Sequence, residues 1–331
     1  MKLLVPIIAV LVALVASAWT PQVTMAQQPA PGERVDWAVP RTSGGRPDLQ
    51  GVWTNATITP YERGTTIPYT GGEVPAAAAD RTVFTDEEIA RLEAQTAIQR
   101  PAFLGAYNVW MDAGDSLLST RQTSLVVDPP DGRVPVKPWA EAARARALDR
   151  QRDDYRAMST WDRCITRGVP GSMLPTGYNN AYRILQTGDT VVVMHEMIHD
   201  ARIIPLSDRS HVDGRILQWM GDARAHWEGD TLVVETRNFS DQGMIVTGTN
   251  GGRLKGLPVS DAMRVVERYT RVSENEIFWE VTIDDPVVYE RPWTISMPLT
   301  RVPGYEMYEY ACHEGNRDIE IYLGGGRVDE R

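Results

Sequence analysis

Apolar and polar residues alternate with a period of two through most of the chain after Tyr182, the pattern of strands with one face buried. Successive alternating runs predict strands at 182–187, 190–198, 200–206, 215–220, 223–227, 231–239, 263–272, 276–284, 293–300 and 306–312. Hairpin-length turns separate several of them, among them Glu228-Gly229-Asp230 and Ser273-Glu274-Asn275-Glu276. Antiparallel meanders of this length close into a barrel or a sandwich. Earlier in the chain, Pro47–Trp53 and Thr120–Val127 also read as strands. Thr85-Asp86-Glu87-Glu88 is a capping box that predicts a helix to about Gln99. Pro138 opens a second predicted helix, Trp139 to about Met158, whose Ala, Arg, Asp and Glu content is that of a solvated, ion-paired face. Residues 27–46 read as a linker, residues 60–82 as an irregular loop and Gly324-Gly325-Gly326 as a flexible tail.

The first 26 residues have a different pattern. A basic start at Lys2 precedes the apolar run Leu3–Val15, and Ala16-Ser17-Ala18 and Thr24-Met25-Ala26 supply small-residue cleavage positions. This is the layout of a secretory signal peptide, too short for a spanning helix. The expected product is a periplasmic or secreted bacterial protein, with residues 47–326 as one domain carrying helical insertions at 85–99 and 139–158. A net charge of −10 argues against nucleic-acid partners and against anionic membrane surfaces. In an oxidising compartment the two cysteines, Cys164 and Cys312, predict a disulfide closing a loop of 148 residues. Two separate buried thiols are the alternative.

The segment Thr190–Leu206 contains His195-Glu196-Met197-Ile198-His199, the H-E-x-x-H pattern of zinc hydrolases. That pattern holds a metal only on a helix, where residues four apart share a face. Val191, Val192, Val193, Ile198, Ile203 and Ile204 instead favour strand. Seventeen residues of straight strand would reach about 56 Å, so a bend or bulge is expected near Glu196–His199. If alternation survives the bend, Val191, Val193, His195, Met197 and His199 share one face, with Glu196, Asp200 and Arg202 on the other.

Gly51-Val52-Trp53 resembles the G-x-W at the start of the first strand of lipocalins, within the calycin superfamily. Further segments are Cys164-x-x-Arg167-Gly-x-Pro170, Pro175-Thr-Gly-Tyr178-Asn-Asn180, Gln218-Trp-x-Gly221-Asp222, Trp227–Thr236, Asp284-Asp285-Pro286 and Tyr310-x-Cys312-x-Glu314. Together with the His195–Leu206 segment they resemble a large group of exported bacterial proteins of obscure function, from about Pro47 to Asn316. One departure is Ser207-Asp-Arg-Ser-His211, where that group tends to place Asp-Gly-Arg-Pro-His. The resemblance implies a mainly β fold, a calycin- or lipocalin-like antiparallel β-barrel with two or so flanking helices. Distant calycin relatives include cofactor-free enzymes working on substrates inside a barrel, an analogy of fold.

No nucleotide, flavin or serine-hydrolase fingerprint is present, and Gly171-Ser172-Met173 lacks the setting of a nucleophile elbow. The expected function is therefore cofactor-free acid–base chemistry on a small organic or carbohydrate substrate inside the barrel, by a lyase, isomerase or hydratase. The catalytic candidates are His195, His199, Tyr178 and His211. Asn179, Asn180, Arg167, Arg202, Trp219, His313 and Glu314 are the substrate-binding candidates, the amides and arginines because they would steady a developing negative charge. Two other readings stay open. One is a non-catalytic binder of an apolar or glycan ligand, using the tryptophans; the other is a metal-dependent hydrolase or lyase built on His195 and His199.

Overall fold

The computed structural model describes residues 37–68, 73–105 and 111–329. The predicted signal peptide and the first ten residues of the predicted linker lie outside the described residues. The strands are β1 (Gly51–Thr54), β2 (Val126–Asp128), β3 (Ala181–Gln186), β4 (Thr190–His195), β5 (Ala201–Pro205), β6 (Asp222–Glu228), β7 (Thr231–Arg237), β8 (Arg264–Arg271), β9 (Glu276–Asp284) and β10 (Trp293–Arg301). They join in the order β5-β4-β3-β1-β10-β9-β8-β7-β6, with β2 attached beside β10. The sheet curls until its edge strands β5 and β6 meet at one parallel bridge, Leu206 to Ala225. The result is a nearly closed antiparallel barrel, compatible with the calycin-like expectation.

Alternation decides what lies inside. Along β9, Ile277, Trp279, Val281 and Ile283 are buried and their neighbours are half-buried. Along β8 the buried set is Val265, Glu267, Tyr269 and Arg271. With Trp53, Trp293 and Met297 the apolar ones among these side chains belong to one packed core, so the interior is occupied by the protein's own rings and branched chains. At one end, Arg271 lies over the ring of Trp53 at 5.5 Å and that of Trp37 at 5.9 Å, and donates to the carbonyl of Asp48 at 2.7 Å. The opposite end, where β4 finishes at His195, is covered by loops whose Val169, Met173, Leu174, Ile245 and Leu257 join the same core.

One buried pair of opposite charges bridges the interior. Arg202 on β5 makes a bidentate pair with Glu267 on β8, at 3.0 and 2.6 Å. Glu267 also accepts from the Tyr269 hydroxyl at 2.7 Å and from Trp279 Nε1 at 3.3 Å, and Arg202 reaches Thr236 on β7 at 3.3 Å. Burial works against the charge on Arg202, but the field and hydrogen bonds of Glu267 outweigh it and hold its pKa above the usual range.

The helices are α1 (Asp86–Leu104), α2 (Pro138–Asp149) and α3 (Asp318–Asp329). The capping box forms as the sequence predicts: Glu88 N–H donates to Thr85 Oγ1 at 3.2 Å and Thr85 N–H to Glu88 at 2.9 Å. Leu92 of α1 packs into a small separate cluster with Ile58, Ile67, Ala78, Phe84 and Leu117.

Five expectations about elements change. Of the strand predicted over Thr120–Val127 only the end forms, as part of β2. The second helix stops at Asp149 and continues only as short turns at Arg150–Arg152 and Tyr155–Ala157. Residues 215–220 are not a strand; they touch the sheet through one bridge, Gln218 to Phe239. Residues 306–312 run as an irregular strap, because a disulfide and side-chain contacts hold them in place of a strand partner. Gly324-Gly325-Gly326 is helical, inside α3. A Cβ at Gly326 would stand 2.7 Å from the Arg152 carbonyl oxygen, so the glycine that reads as flexible permits a close approach that holds the helix.

Glu267→Gln should leave the Arg202 charge buried without its counter-charge, at a cost of roughly 3–5 kcal/mol. Arg202→Met combined with Glu267→Leu should cost much less, because no charge is then stranded. Urea unfolding of both variants checks this; equal losses would show that the pair acts by shape alone.

Candidate functional site

The bend predicted in the Thr190–Leu206 segment falls where expected and has a specific form. β4 ends at His195, Met197–His199 makes one tight turn, and β5 begins at Ala201. Ile198 and His199 both adopt left-handed backbone, with φ of 63° and 61°, which is costly for a β-branched residue. His195 N–H donates to the Asp200 carbonyl at 2.7 Å and closes the turn. Because of this turn the segment does not keep one alternating face. His195 points inward and is completely buried, Met197 is buried, and His199 is exposed. The expectation that His195 and His199 face one substrate or one metal together is therefore not met: the left-handed pair at 198–199 reverses the chain between them. Among the described residues no group of three or more His, Cys, Asp or Glu side chains is arranged to hold a metal ion.

His195 lies under the cap. Its ring meets Tyr182 edge-on at 5.4 Å, and its Nε2 is 3.4 Å from the hydroxyl of Ser172. The tight turn Gly171–Met173 brings in that serine, which the sequence reading weighed only as a hydrolase nucleophile and set aside. Burial, aided by the charges of Arg202 and Arg167, lowers the imidazole pKa to about 3. A base this weak, sealed from solvent, is poorly suited to activating the serine. His195 Nδ1 and Asn55 Oδ1 make no hydrogen bond, although Asn55 Nδ2 donates to the Met173 carbonyl at 2.8 Å and to the Tyr182 hydroxyl.

The other predicted site residues are spread over several regions. His211 lies on the outer wall, its Nδ1 3.1 Å from Asp222 and its Nε2 3.8 Å from Glu235. Arg202 is committed to Glu267. Arg167 is buried, with Nε donating to Thr247 Oγ1 at 3.1 Å and its guanidinium 6.0 Å from the centre of the Trp161 ring. Trp219 lies under Arg163 at 6.0 Å and lines a crevice of about 10 Å³ with Thr166, Phe239 and Met263. His313 and Glu314 are exposed, next to the Cys164–Cys312 disulfide, which forms with a Cα separation of 5.6 Å.

The predicted residues that do gather are those of the Tyr178-Asn179-Asn180 loop, and they gather with residues the sequence reading missed. The side-chain amide of Asn180 closes its own loop on Thr176, at 2.8 and 2.9 Å. It also donates to the Asp112 carbonyl at 3.1 Å. The backbone N–H of Asn180 points to the Asp112 carboxylate at 3.4 Å, and the next N–H, of Ala181, to the Glu196 carboxylate at 3.3 Å. Two carboxylates thus rest on consecutive amides. The Tyr305 hydroxyl donates to Glu196 Oε1 at 2.5 Å. Tyr178 stacks on Tyr310 with centroids 6.4 Å apart, and Trp161 lies 6.2 Å from Tyr178. The disulfide pins the strap carrying Tyr305 and Tyr310 against this rim.

Electrostatics separate the groups. Asp112 keeps an exposed edge, yet crowding of its carboxyl, reinforced by the charge of Glu196, raises its pKa. Burial, together with the hydrogen bond and charge of Glu196, raises that of Tyr305. No known family model, curated protein or solved structure matches this chain. The site is therefore read from its own chemistry. Asp112 and Tyr305 sit outside any regular alternation, which is why the sequence reading missed them. The recurring tyrosines of Gly304-Tyr305-x-x-Tyr308-x-Tyr310 were the available signal. The disulfide fits an oxidising, extracellular or periplasmic setting, and no helix among the described residues is long and apolar enough to cross a membrane.

Two outcomes are expected. Unfolded chain binds a proton at His195 below about pH 6.5, whereas folded chain does so only below about 3. Stability should therefore fall with falling pH through that window, by about 1.4 kcal/mol per pH unit from this group, and be indifferent to it above. His195→Gln should remove one proton from the slope of unfolding free energy between pH 4 and 6; an unchanged slope would place the imidazole in solvent. Replacing both cysteines by serine should cost up to roughly 5 kcal/mol. It should also speed amide exchange selectively in residues 302–316 and 176–180. Exchange that stays slow there would show that the strap holds without its tether.

Proposed function

We propose that this protein is an exported, cofactor-free enzyme that moves protons on a small organic or carbohydrate substrate, in a lyase, isomerase or hydratase reaction. Its site is the rim of the barrel and not its interior, which Trp53, Trp279, Trp293 and Tyr269 fill. The observation that carries the reading is the carboxylate pair: Asp112 and Glu196 on consecutive amides, in environments that push Asp112 toward its protonated form. Carboxyl groups whose surroundings differ can divide the roles of acid and base. Asp112 then gives a proton and Glu196 takes one. Tyr305 aligns Glu196 and can pass a proton on, and Tyr178, Tyr310 and Trp161 offer ring edges to a sugar or other cyclic substrate. His195 sits behind this pair and His211 apart from it, so the acid–base roles first expected of histidines pass to carboxylates.

The apolar run Leu3–Val15, followed by small-residue cleavage positions, supports export to the periplasm or beyond. The stacked Tyr178–Tyr310 pair beside Trp161 also favours a second reading, a non-catalytic binder of a ring-shaped or glycan ligand at the same rim.

The test is incubation of the mature protein with polysaccharide digests and small-molecule extracts, with products followed by mass spectrometry. Asp112→Asn and Glu196→Gln should each lower turnover by about 10²–10⁴-fold, with Tyr305→Phe milder. Activity should fall as rising pH takes the proton from Asp112, whose pKa is raised. Turnover that survives both carboxylate variants would overturn the proposal. Ligand retained without product would favour the binder.

A further inference from the structure

The outer wall of the barrel has two unlike halves. Over β6, β7 and β8 it is charged, and Arg224, Glu228, Glu235, Arg264 and Arg268 are tied into ion pairs. Over β3, β4 and β5 it is apolar. The ladders align Leu185, Val192 and Ile203 directly across these three strands. Alternation turns all three outward, because Ile184, Val191, Val193 and Ile204 face the core. Leu185 is 42% exposed and Ile203 70%. The next outward row sets Val52, Arg183, Met194 and Ala201 side by side across β1, β3, β4 and β5. An apolar sheet face that runs out to an edge strand favours association.

Two charges border this face, and they indicate what covers it. Arg183 lies in the row above Leu185, and Asp189 lies below it, in the turn that joins β3 to β4. Among the described residues neither enters an ion pair. The hydroxyls of Thr187 and Thr190 both donate to Asp189 Oδ1, at 3.2 and 3.0 Å, and Oδ2 accepts no described hydrogen bond. The apolar strip therefore has a free cation at one end and a free anion at the other. Such a strip is complementary to itself under a twofold rotation, which carries each end onto the opposite one. An axis through the Leu185–Val192–Ile203 row lays that row on its own copy and brings each Arg183 toward the Asp189 turn of the other copy. A lipid surface would cover the row but would leave both charges unanswered.

We propose that the outer face of β3, β4 and β5 is a homodimer interface, at which two copies of this chain pack sheet to sheet about a twofold axis. The apolar row is its centre, and the two Arg183–Asp189 pairs between copies fix its register. The proposal does not depend on the chemistry read at the rim.

The test is sedimentation velocity of the full mature chain over a dilution series. The unaltered protein should be a dimer at about 50 µM and shift toward monomer on dilution. Ile203→Asp should be monomeric throughout, with an unchanged circular dichroism spectrum. Arg183→Asp and Asp189→Arg should each weaken the dimer by about tenfold or more, because like charges then meet across the axis. The two changes together should restore the affinity to within about threefold of the original. A monomer at every concentration, a dimer indifferent to Ile203→Asp, or a double variant no tighter than either single one would overturn the interface. Should Ile203→Asp fail to fold, the charge-exchange set decides by itself. A monomer that floats with phosphatidylcholine vesicles would likewise refute the dimer and give the face to lipid.

Discussion

Closure of the barrel rests on the pair between Arg202 and Glu267. Backbone pairing alone does not complete the ring, because β5 and β6 share just one bridge, at Leu206 and Ala225. Arg202 stands on β5, one side of that seam, while Glu267 and Thr236 stand on β8 and β7, beyond its other side. The bidentate contact thus spans the gap that the hydrogen-bond ladder leaves. It also pins the inward face of β5, since a slip of one residue would move Arg202 to solvent and Ala201 or Ile203 inside. A buried ion pair contributes little net stability compared with apolar packing, but it strongly penalises any arrangement in which one partner is left alone.

From that pinned strand the rest of the rim follows. With Arg202 inward on β5 and Val193 paired to it on β4, His195 must also point inward, and Glu196, at the start of the turn, turns aside and is buried against the Ala181 N–H and the Tyr305 hydroxyl. The left-handed turn at Ile198 and His199 then sends the chain back at once. One peptide step therefore separates a sealed imidazole that works as packing from a carboxylate that meets Asp112 and Tyr305. The disulfide completes the rim from outside by holding the strap that supplies Tyr305 and Tyr310.

Much of the fold was legible in the chain. Period-two alternation identified β3, β7, β8, β9 and β10 closely, because each has a buried face fixed by the core and each is bounded by turn residues such as Gly229. The capping box at Thr85 and Glu88 is a local interaction and was legible for that reason. Residues 215–220 and 306–312 alternate without forming strands, since no neighbour offers them a ladder. The glycine run of α3 reads as loose because the role of Gly326 is a close approach to Arg152, invisible in one dimension.

The sequence by itself determined the antiparallel β class, the place of the bend after His195 and the pairing of two cysteines, because periodicity, chain reach and the number of thiols are one-dimensional constraints; the choice of a barrel over a sandwich came from the calycin resemblance. Only the tertiary structure decided that the interior is filled, that His195 and His199 part company, and that Asp112, Glu196 and Tyr305 meet. Those outcomes depend on which residues far apart in sequence are brought together. Asp112 and Glu196, 84 positions apart, become neighbours only because Asn180 and Ala181 present successive N–H groups to both. No local propensity encodes that meeting; the folded arrangement of three separate loops creates it.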